Sequence, residues 1–496
     1  MKKILIATLT LCTFLPIQAQ RVLTLDNCRE LALRNNKQLN VSRLSKDVAT
    51  NMRKAIHTKY LPKIDAAGAY QFTSKEVSIL DKSQKNVLSN FGSNVGSQIT
   101  SDMSPVITDL TQKGIITPAQ AQTLAGVLQQ TGTSMTSALN EAGQRVRDAF
   151  RTDTRNIFVA DILVRQPIYM GGAIMAANKI AQITEEMADN NISTKTQATL
   201  YNIDQAYWLV VSLRQKQILA QSYLDVVKKL DSDVQKMIKQ GIATKAEGLK
   251  VNVKVNEAEM SKTQVDDGLV LSKMYLCQLC GISMDENVKL ADEDRNDLDT
   301  PDGQYDVNRQ VAIDNRPELR VLQNTIDISK QNTKLAHAAF LPQIAAIGGY
   351  MISNPNVFNG YERRFSGYFH IGVAVRVPVW NWFEGRYTVR ANKISTQIAL
   401  MEFDDVKEKI NLQVSQSAFK VKEANKKLAL AIKNVLSAEE NLRCANLGFH
   451  EGIMQTTEVM EAQTAWLQAH SQKIDAEIDI KLSEVNLEKA LGILHE

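Results

Sequence analysis

Beyond its first residues the chain lacks any long apolar run. The longest later stretch is Tyr207-Trp208-Leu209-Val210-Val211, whereas a helix needs roughly 20 such residues to cross a bilayer. Membrane-spanning helices are therefore excluded. Proline is scarce, at 10 of 496 residues, and aromatic residues make up only 6%. With 44% hydrophobic and 23% charged residues the chain is nonetheless neither disordered nor collagenous. An excess of one charge sign is also missing. There are 58 Lys and Arg against 54 Asp and Glu with no basic block, so nothing points to nucleic acid or to anionic lipid. Cysteines number five. Cys277 and Cys280 have neither a second pair nor a nearby histidine to complete a zinc site, and are expected to pack one turn apart in the middle of a helix. Phosphate loops, metalloprotease helices, nucleophile elbows and paired-carboxylate motifs are all absent, so no catalytic residue, metal or cofactor is expected. None of these absences excludes a membrane β-barrel, whose strands need only alternate.

What is present begins with a secretory leader over residues 1–19, in which Lys2 and Lys3 precede the apolar run Ile4 to Leu15. The rest is written twice. Residues 29–72 align without a gap to 309–352, pairing Asn35 with Asn315 and His57 with His337. Farther on Pro167 pairs with Pro378, Gly241 with Gly452 and Gly281 with Gly492, while Asn178 matches Asn392 and Ala206 matches Ala418. The change of offset marks an insertion of about 85 residues, 73–157, in the first copy. The expected organisation is a first repeat over 20–282, a linker over 283–306 and a second repeat over 307–496. From Ala173 to Ile238, and nearly so from Arg386 to Leu447, no proline or glycine interrupts an apolar spacing of three to four residues. A helix of about 65 residues is near 100 Å long, which suits a coiled-coil stalk or tube rather than a globular core.

Four segments change to period two, around Ile64 to Phe72, Phe158 to Gln166, Ile344 to Tyr350 and Phe369 to Val377. Each is about the length of a tilted membrane strand. Pro62 and Pro342 open two of them, where a missing N–H does least harm. Four strands cannot close a barrel, since about eight is the smallest number that does. If they form one, the chain must oligomerise.

The sequence resembles the TolC-like outer membrane efflux (outer membrane factor) family over essentially the whole mature chain. The resemblance rests on Leu23-Thr24-Leu25-Asp26 leading to Ala32-Leu33 and Asn35, on the Leu-Pro strand openings and on Pro167-Ile168-Tyr169-Met170-Gly171-Gly172. The paired turns Gly241-Ile242-Ala243-Thr244 and Gly452-Ile453-Met454-Gln455-Thr456 complete it. It implies a mainly α fold with membrane β. In a homotrimer, a 12-stranded outer membrane barrel would continue into a periplasmic α-helical coiled-coil barrel. The implied partners are outer membrane lipid, a periplasmic adaptor (membrane fusion) protein and an inner-membrane pump of resistance-nodulation-division or ABC type.

On that resemblance Gly241, Ile242, Ala243, Thr244, Gly452, Ile453, Met454, Gln455 and Thr456 form the periplasmic tips that touch the adaptor. Physically, each glycine ends one helix and a threonine (Thr244, and Thr456 or Thr457) caps the next. Family members ring the entrance with acids just before the second tip, but the matching positions here hold Arg443 and Asn446. Glu439, Glu440, Asp231 and Asp233 lie nearby, and the plainer reading of all six is a solvated helix face. Trp380, Trp382 and Phe383 suit an aromatic girdle. Alternatives are a periplasmic coiled-coil scaffold or adaptor protein without a barrel, and a thiol enzyme using Cys277 and Cys280. The insertion, with helical spacing at Val106, Leu110 and at Leu124, Val127, Leu128, is expected to form a helical lid over the barrel mouth. Deleting residues 73–157 should then raise single-channel conductance in planar bilayers; unchanged conductance removes the lid.

Overall fold

The computed structural model describes residues 21–75, 79–91, 106, 108–113, 115, 117–129, 136–150, 154–295, 308–356 and 363–494. The leader, residues 296–306 of the linker and part of the insertion lie outside them. In chain order the elements are β1 (Arg21–Leu23), α1 (Leu25–Asn35), α2 (Lys37–His57), β2 (Lys63–Phe72), α3 (Lys82–Ser89), α4 (Pro118–Gln129), α5 (Thr136–Ala149) and β3 (Asn156–Met170). There follow α6 (Ala173–Lys239), α7 (Lys245–Cys280), β4 (Val288–Leu290), α8 (Arg309–Asn315), α9 (Pro317–Ala338), β5 (Gln343–Asn354), β6 (Ser366–Arg376), α10 (Glu384–His450) and α11 (Thr456–Leu491). They sort into two compact units: a helical one over 1–57, 173–339 and 381–496, and a sheet unit over 58–172 and 340–380.

In the helical unit α6 and α10 each run 67 residues, and α7 and α11 each run 36. Both pairs begin and end 211 positions apart, so the local sequence matches of Asn178 with Asn392 and Ala206 with Ala418 are not structurally equivalent. The buried positions of α10 show why the helix stays packed over such a length. Ala424, Leu428, Ala431, Val435, Ala438, Leu442, Ala445 and Phe449 are all buried. Their steps alternate between four and three, the 3.5-residue repeat of a supercoiled seam. Alanine fills every second place, so a neighbouring helix can approach closely while the larger residues between them fill the gaps. On the other side α6 contributes Leu219, Tyr223, Val227, Leu230 and Val234.

A broader core surrounds Tyr207 and includes Leu23, Ile203, Val210, Leu276, Cys277, Cys280, Val288 and Leu290. Here the structure corrects two expectations. The stretch from Asp285 does not begin as a bare linker, because Val288–Leu290 pairs in parallel with Arg21–Leu23 and Glu293 accepts from the Leu290 N–H at 3.0 Å. The cysteines are not in mid-helix either. Cys280 is the last residue of α7, which Gly281 closes in the left-handed conformation. Cys28, Cys277 and Cys280 are buried free thiols, and burial pushes the Cys277 thiol up to about 11. A thiol held protonated is a poor nucleophile, which argues against the thiol enzyme.

In the sheet unit the order is β2-β3-β5-β6, with every neighbouring pair antiparallel. The strands run ten to fifteen residues. β3 passes the expected end at Gln166 and reaches Met170, because a register shift between Pro167 and Tyr169 accommodates the proline's missing N–H. Register sorts the side chains sharply. One face carries Ile64, Tyr70, Phe72, Phe158, Ile162, Tyr350, Ile352, Phe369, Ile371, Val373 and Val375 and no charged residue. The other carries Lys63, Asp65, Asp161, Arg165, His370 and Arg376 among apolar residues. The insertion has a small core of its own, in which Val106 and Ile115 pack against Leu80, Leu88 and Leu110. The side chains of Leu124, Val127 and Leu128 lie outside the described residues.

At the helical core Asp204 is fully buried and takes two hydrogen bonds from Arg29, 2.8 Å from Nε and 2.7 Å from Nη2. Leaving that carboxylate unpaired costs about 3–5 kcal/mol. Replacing Arg29 by Met should lower unfolding stability by that amount, and Arg29→Met with Asp204→Leu should restore most of it. Chemical denaturation of the three proteins measures both effects.

Candidate functional site

The two helix-reversal turns are built alike. At the first, Gly241 has φ +75° and α6 closes through Gly241 N–H to Ile238 C=O at 3.0 Å and Ile242 N–H to Met237 C=O at 2.9 Å. At the second, Gly452 has φ +72°, with Gly452 N–H to Phe449 C=O at 3.1 Å and Ile453 N–H to Gly448 C=O at 2.8 Å. That left-handed backbone is strained for any residue with a Cβ. Each turn then pushes one isoleucine outward: Ile242 is 66% exposed and Ile453 82%. Ala243 and Met454 turn inward onto a cluster formed by Leu230, Val234, Val251, Leu442, Phe449 and Val459. Four long helices are thus pinned together beside two exposed aliphatic knobs.

The caps differ from each other. Thr244 is the N-cap of α7, its hydroxyl accepting from the Glu247 N–H at 3.3 Å, while Glu247 takes the Thr244 N–H at 2.7 Å. At the second turn the cap falls to Gln455, whose N–H donates to Glu458 at 2.7 Å. Thr456, expected as a cap, is instead the first helical residue and is buried, and Thr457 is also inside the helix. The two turns are equal in length and Gln455 stands where Thr244 does; the threonine of the second turn falls one position later, inside α11.

The six entrance residues are not gathered into one cluster within a copy. Asp233 pairs with Lys236 at 2.9 Å, and Asp231 accepts from Gln235 at 3.4 Å, both on α6. On α10 Glu440 and Arg443 form a two-pronged pair at 2.6 and 2.7 Å. The guanidinium holds the Glu440 carboxyl down to about 2. Glu439 reaches across to His470 Nε2 at 3.2 Å, a partner that sequence reasoning missed because it lies on α11. Burial lowers His470 below its ordinary value despite that carboxylate. Asn446 is half-buried and Arg443 is exposed. A shallow groove of about 430 Å³ lies between α7 and α11 close to the turns, lined by residues such as Val253, Glu257, Met460 and Thr464. Among the described residues there is no metal-binding cluster.

The Thr244–Glu247 pair sets a pH expectation. Its hydrogen bonds hold Glu247 below the ordinary value of 4.5, so its contribution to the turn is present above that value and is lost as pH falls through the folded one. Amide exchange at Ala243 to Glu247 should speed up below pH 4.5, apart from its intrinsic pH dependence. Thr244→Ala, which removes a cap of about 1 kcal/mol, should produce the same speeding at neutral pH. Equal exchange in both proteins contradicts the cap.

Comparison with known proteins gives these parts a setting. Solved structures share the fold: the CusC channel covers 94% of this chain and 92% of its own, with TM-score 0.71 and 13% identity. The CmeC outer membrane channel of Campylobacter jejuni covers 94% and 85%, with TM-score 0.70 and 13% identity. The alkaline protease secretion protein AprF of Pseudomonas aeruginosa is 21% identical over 370 residues, 71% of this chain and 75% of that protein. Outer membrane protein TolC of Vibrio cholerae is 24% identical over 173 residues, 34% of this chain and 39% of its own. Residues 308–493 match the outer membrane efflux protein family, and the fold is shared with the solved channels along nearly the full length of the chain.

Proposed function

We propose that three copies of this chain form an outer membrane exit duct. It would pass substrates received from an inner-membrane pump and a periplasmic adaptor to the exterior. The carrying observation is the sheet. All ten residues of β2 are exposed, β2 and β6 have no further neighbour among the described residues, and one whole face carries no charge and is mostly apolar. Side chains such as Phe369 and Ile371, 77% and 85% exposed, would each gain about 1.5–3 kcal/mol from leaving water. A single copy offers them nothing. A lipid bilayer covers that face, and β6 of one copy pairing with β2 of the next satisfies both edges, giving twelve strands in a trimer. The mixed-polarity face then lines the channel.

The helical unit supports the same reading. Val41, Leu44, Val48 and Met52 make an exposed apolar stripe on α2, and Ile394, Ile398, Met401, Leu412 and Phe419 another on α10; neighbouring copies cover such stripes. Trp382 and Phe383 hold positive φ values, 50° and 63°, where the first half has Gly171 and Gly172. Bulky residues are rarely left in that conformation. Keeping aromatic side chains exposed there, after Trp380, suits a boundary between lipid and water. At the turns Ile242 and Ile453 are the knobs an adaptor would grip. An exit duct serves both the secretion named for the Pseudomonas relative and the efflux named for the family. A barrel-less periplasmic scaffold leaves the apolar sheet face in water.

Extraction from membranes should require detergent. Native mass spectrometry of the purified protein should give three times the protomer mass, and the same particles should conduct ions in a planar bilayer. Release by osmotic shock as a monomer would favour the scaffold.

A further inference from the structure

Two corners of the helical unit are built alike and differ at one residue. In the first, α1 ends at Asn35, and Asn36 follows with φ −62° and ψ 122° and its N–H on Ala32 C=O. In the second, α8 ends at Asn315, and Arg316 follows with φ −68° and ψ 115° and its N–H on Ala312 C=O. The glycine closing a return helix packs on each junction. A Cβ on Gly281 would lie 2.6 Å from Asn35 Cβ, and one on Gly492 would lie 3.0 Å from the Arg316 nitrogen.

The second corner is filled from within. Arg316 is 5% exposed and donates to the Lys489 carbonyl oxygen at 3.2 Å and to the Gln413 side-chain oxygen, with Glu318 3.6 Å away. In the first corner Asn36 uses its oxygen to cap α2 instead, accepting from the N–H groups of Gln38 at 2.9 Å and Leu39 at 3.2 Å. Its amide nitrogen reaches the Leu279 carbonyl oxygen at 3.4 Å. The constant spacing of 211 between the paired helices puts Asn202 where Gln413 stands and Gln278 where Lys489 stands. What remains is a recess of about 710 Å³ lined by Asn36, Asn202 and Gln278 and reached past the exposed Tyr275. Lys37 and Asp285 also line it with opposite charges, and Gln38 stands where the second corner has Glu318.

We propose that this recess receives an arginine side chain presented by a partner protein, whose guanidinium takes the place that Arg316 fills in the other corner. A guanidinium offers planar, fixed donors and no acceptor, which matches a site whose counterpart supplies a backbone carbonyl and a carboxamide oxygen. The recess is larger than a guanidinium needs, so the aliphatic stem can lie along Tyr275 with its head among the amides. Lysine, a compact point charge, lacks the fork that reaches two separated acceptors.

Calorimetric titration of the full chain in detergent with Nα-acetyl-arginine amide tests this, with the neutral citrulline analogue and a trimer of N-acetylglucosamine as comparisons. The arginine amide should bind about tenfold more tightly than the citrulline amide, the worth of charge on such hydrogen bonds. Asn36→Arg, which fills the corner internally, should abolish binding. Asn202→Leu, which leaves the α2 cap intact, should weaken it to the citrulline level. Equal binding of the two amides, binding undiminished in both variants, or a response to the saccharide alone would overturn the proposal. So would a structure of the assembled protein with an arginine from a neighbouring copy already in the recess.

Discussion

A β-sheet of four strands cannot satisfy its own edges, and every other feature of the chain is arranged around that. Among the described residues β2 and β6 each leave a row of backbone donors and acceptors without a strand to meet them. One face carries no charged residue and is mostly apolar, while the other carries lysine, arginine, aspartate and histidine. A soluble sheet hides its apolar face under a helix or a second sheet. This one displays Ile371 and Phe369 almost as fully as an extended peptide would. In the proposed duct, the environment completing such a sheet is greasy on one side, wet on the other, and supplied with more strands of the same kind.

The helical unit answers a related constraint, which is length without a thick core. Its seam alternates alanine with leucine, valine or phenylalanine along α10, so few large residues are spent per turn and much of the surface stays polar. The mean hydropathy of −0.21 is the average over that water-bathed surface and a sheet that is apolar on one face only. Buried polar groups at its core are paired: Arg29 meets the buried Asp204, and Tyr207 donates a hydrogen bond to Asp292 at 2.6 Å. Near the turns the charges pair mainly along their own helices, which leaves them free of obligations to neighbouring helices.

Much of this was legible in the sequence, for physical reasons that can be named. The period-two segments and the glycines at 241, 281, 452 and 492 fixed strand and turn positions because each pattern has one cheap backbone solution. The long helices could be read to within a few residues because nothing inside them breaks a helix. Other features were hidden. β1 and β4 are three residues each and pair across more than 250 positions, so no local pattern announces them. Gln455 is the cap rather than Thr456 because the two turns are equal in length, so the place matching Thr244 is 455, one residue before the threonine. The recess beside Asn36 depends on a missing arginine, visible only when two structurally equivalent corners are compared. His470 opposite Glu439 needed the packing of α11 on α10.

The most direct test of the central claim is a cysteine cross-linking scan between β6 and β2 in intact outer membranes. The exposed Cys444 would first be replaced by serine, and single cysteines along Gly367 to Val375 combined with single cysteines along Ile64 to Phe72. Paired edges predict that a subset of combinations in antiparallel register yields covalent dimers and trimers and nothing larger. If no combination links copies, or if the ladder runs on past three, the sheet does not close as a trimeric barrel.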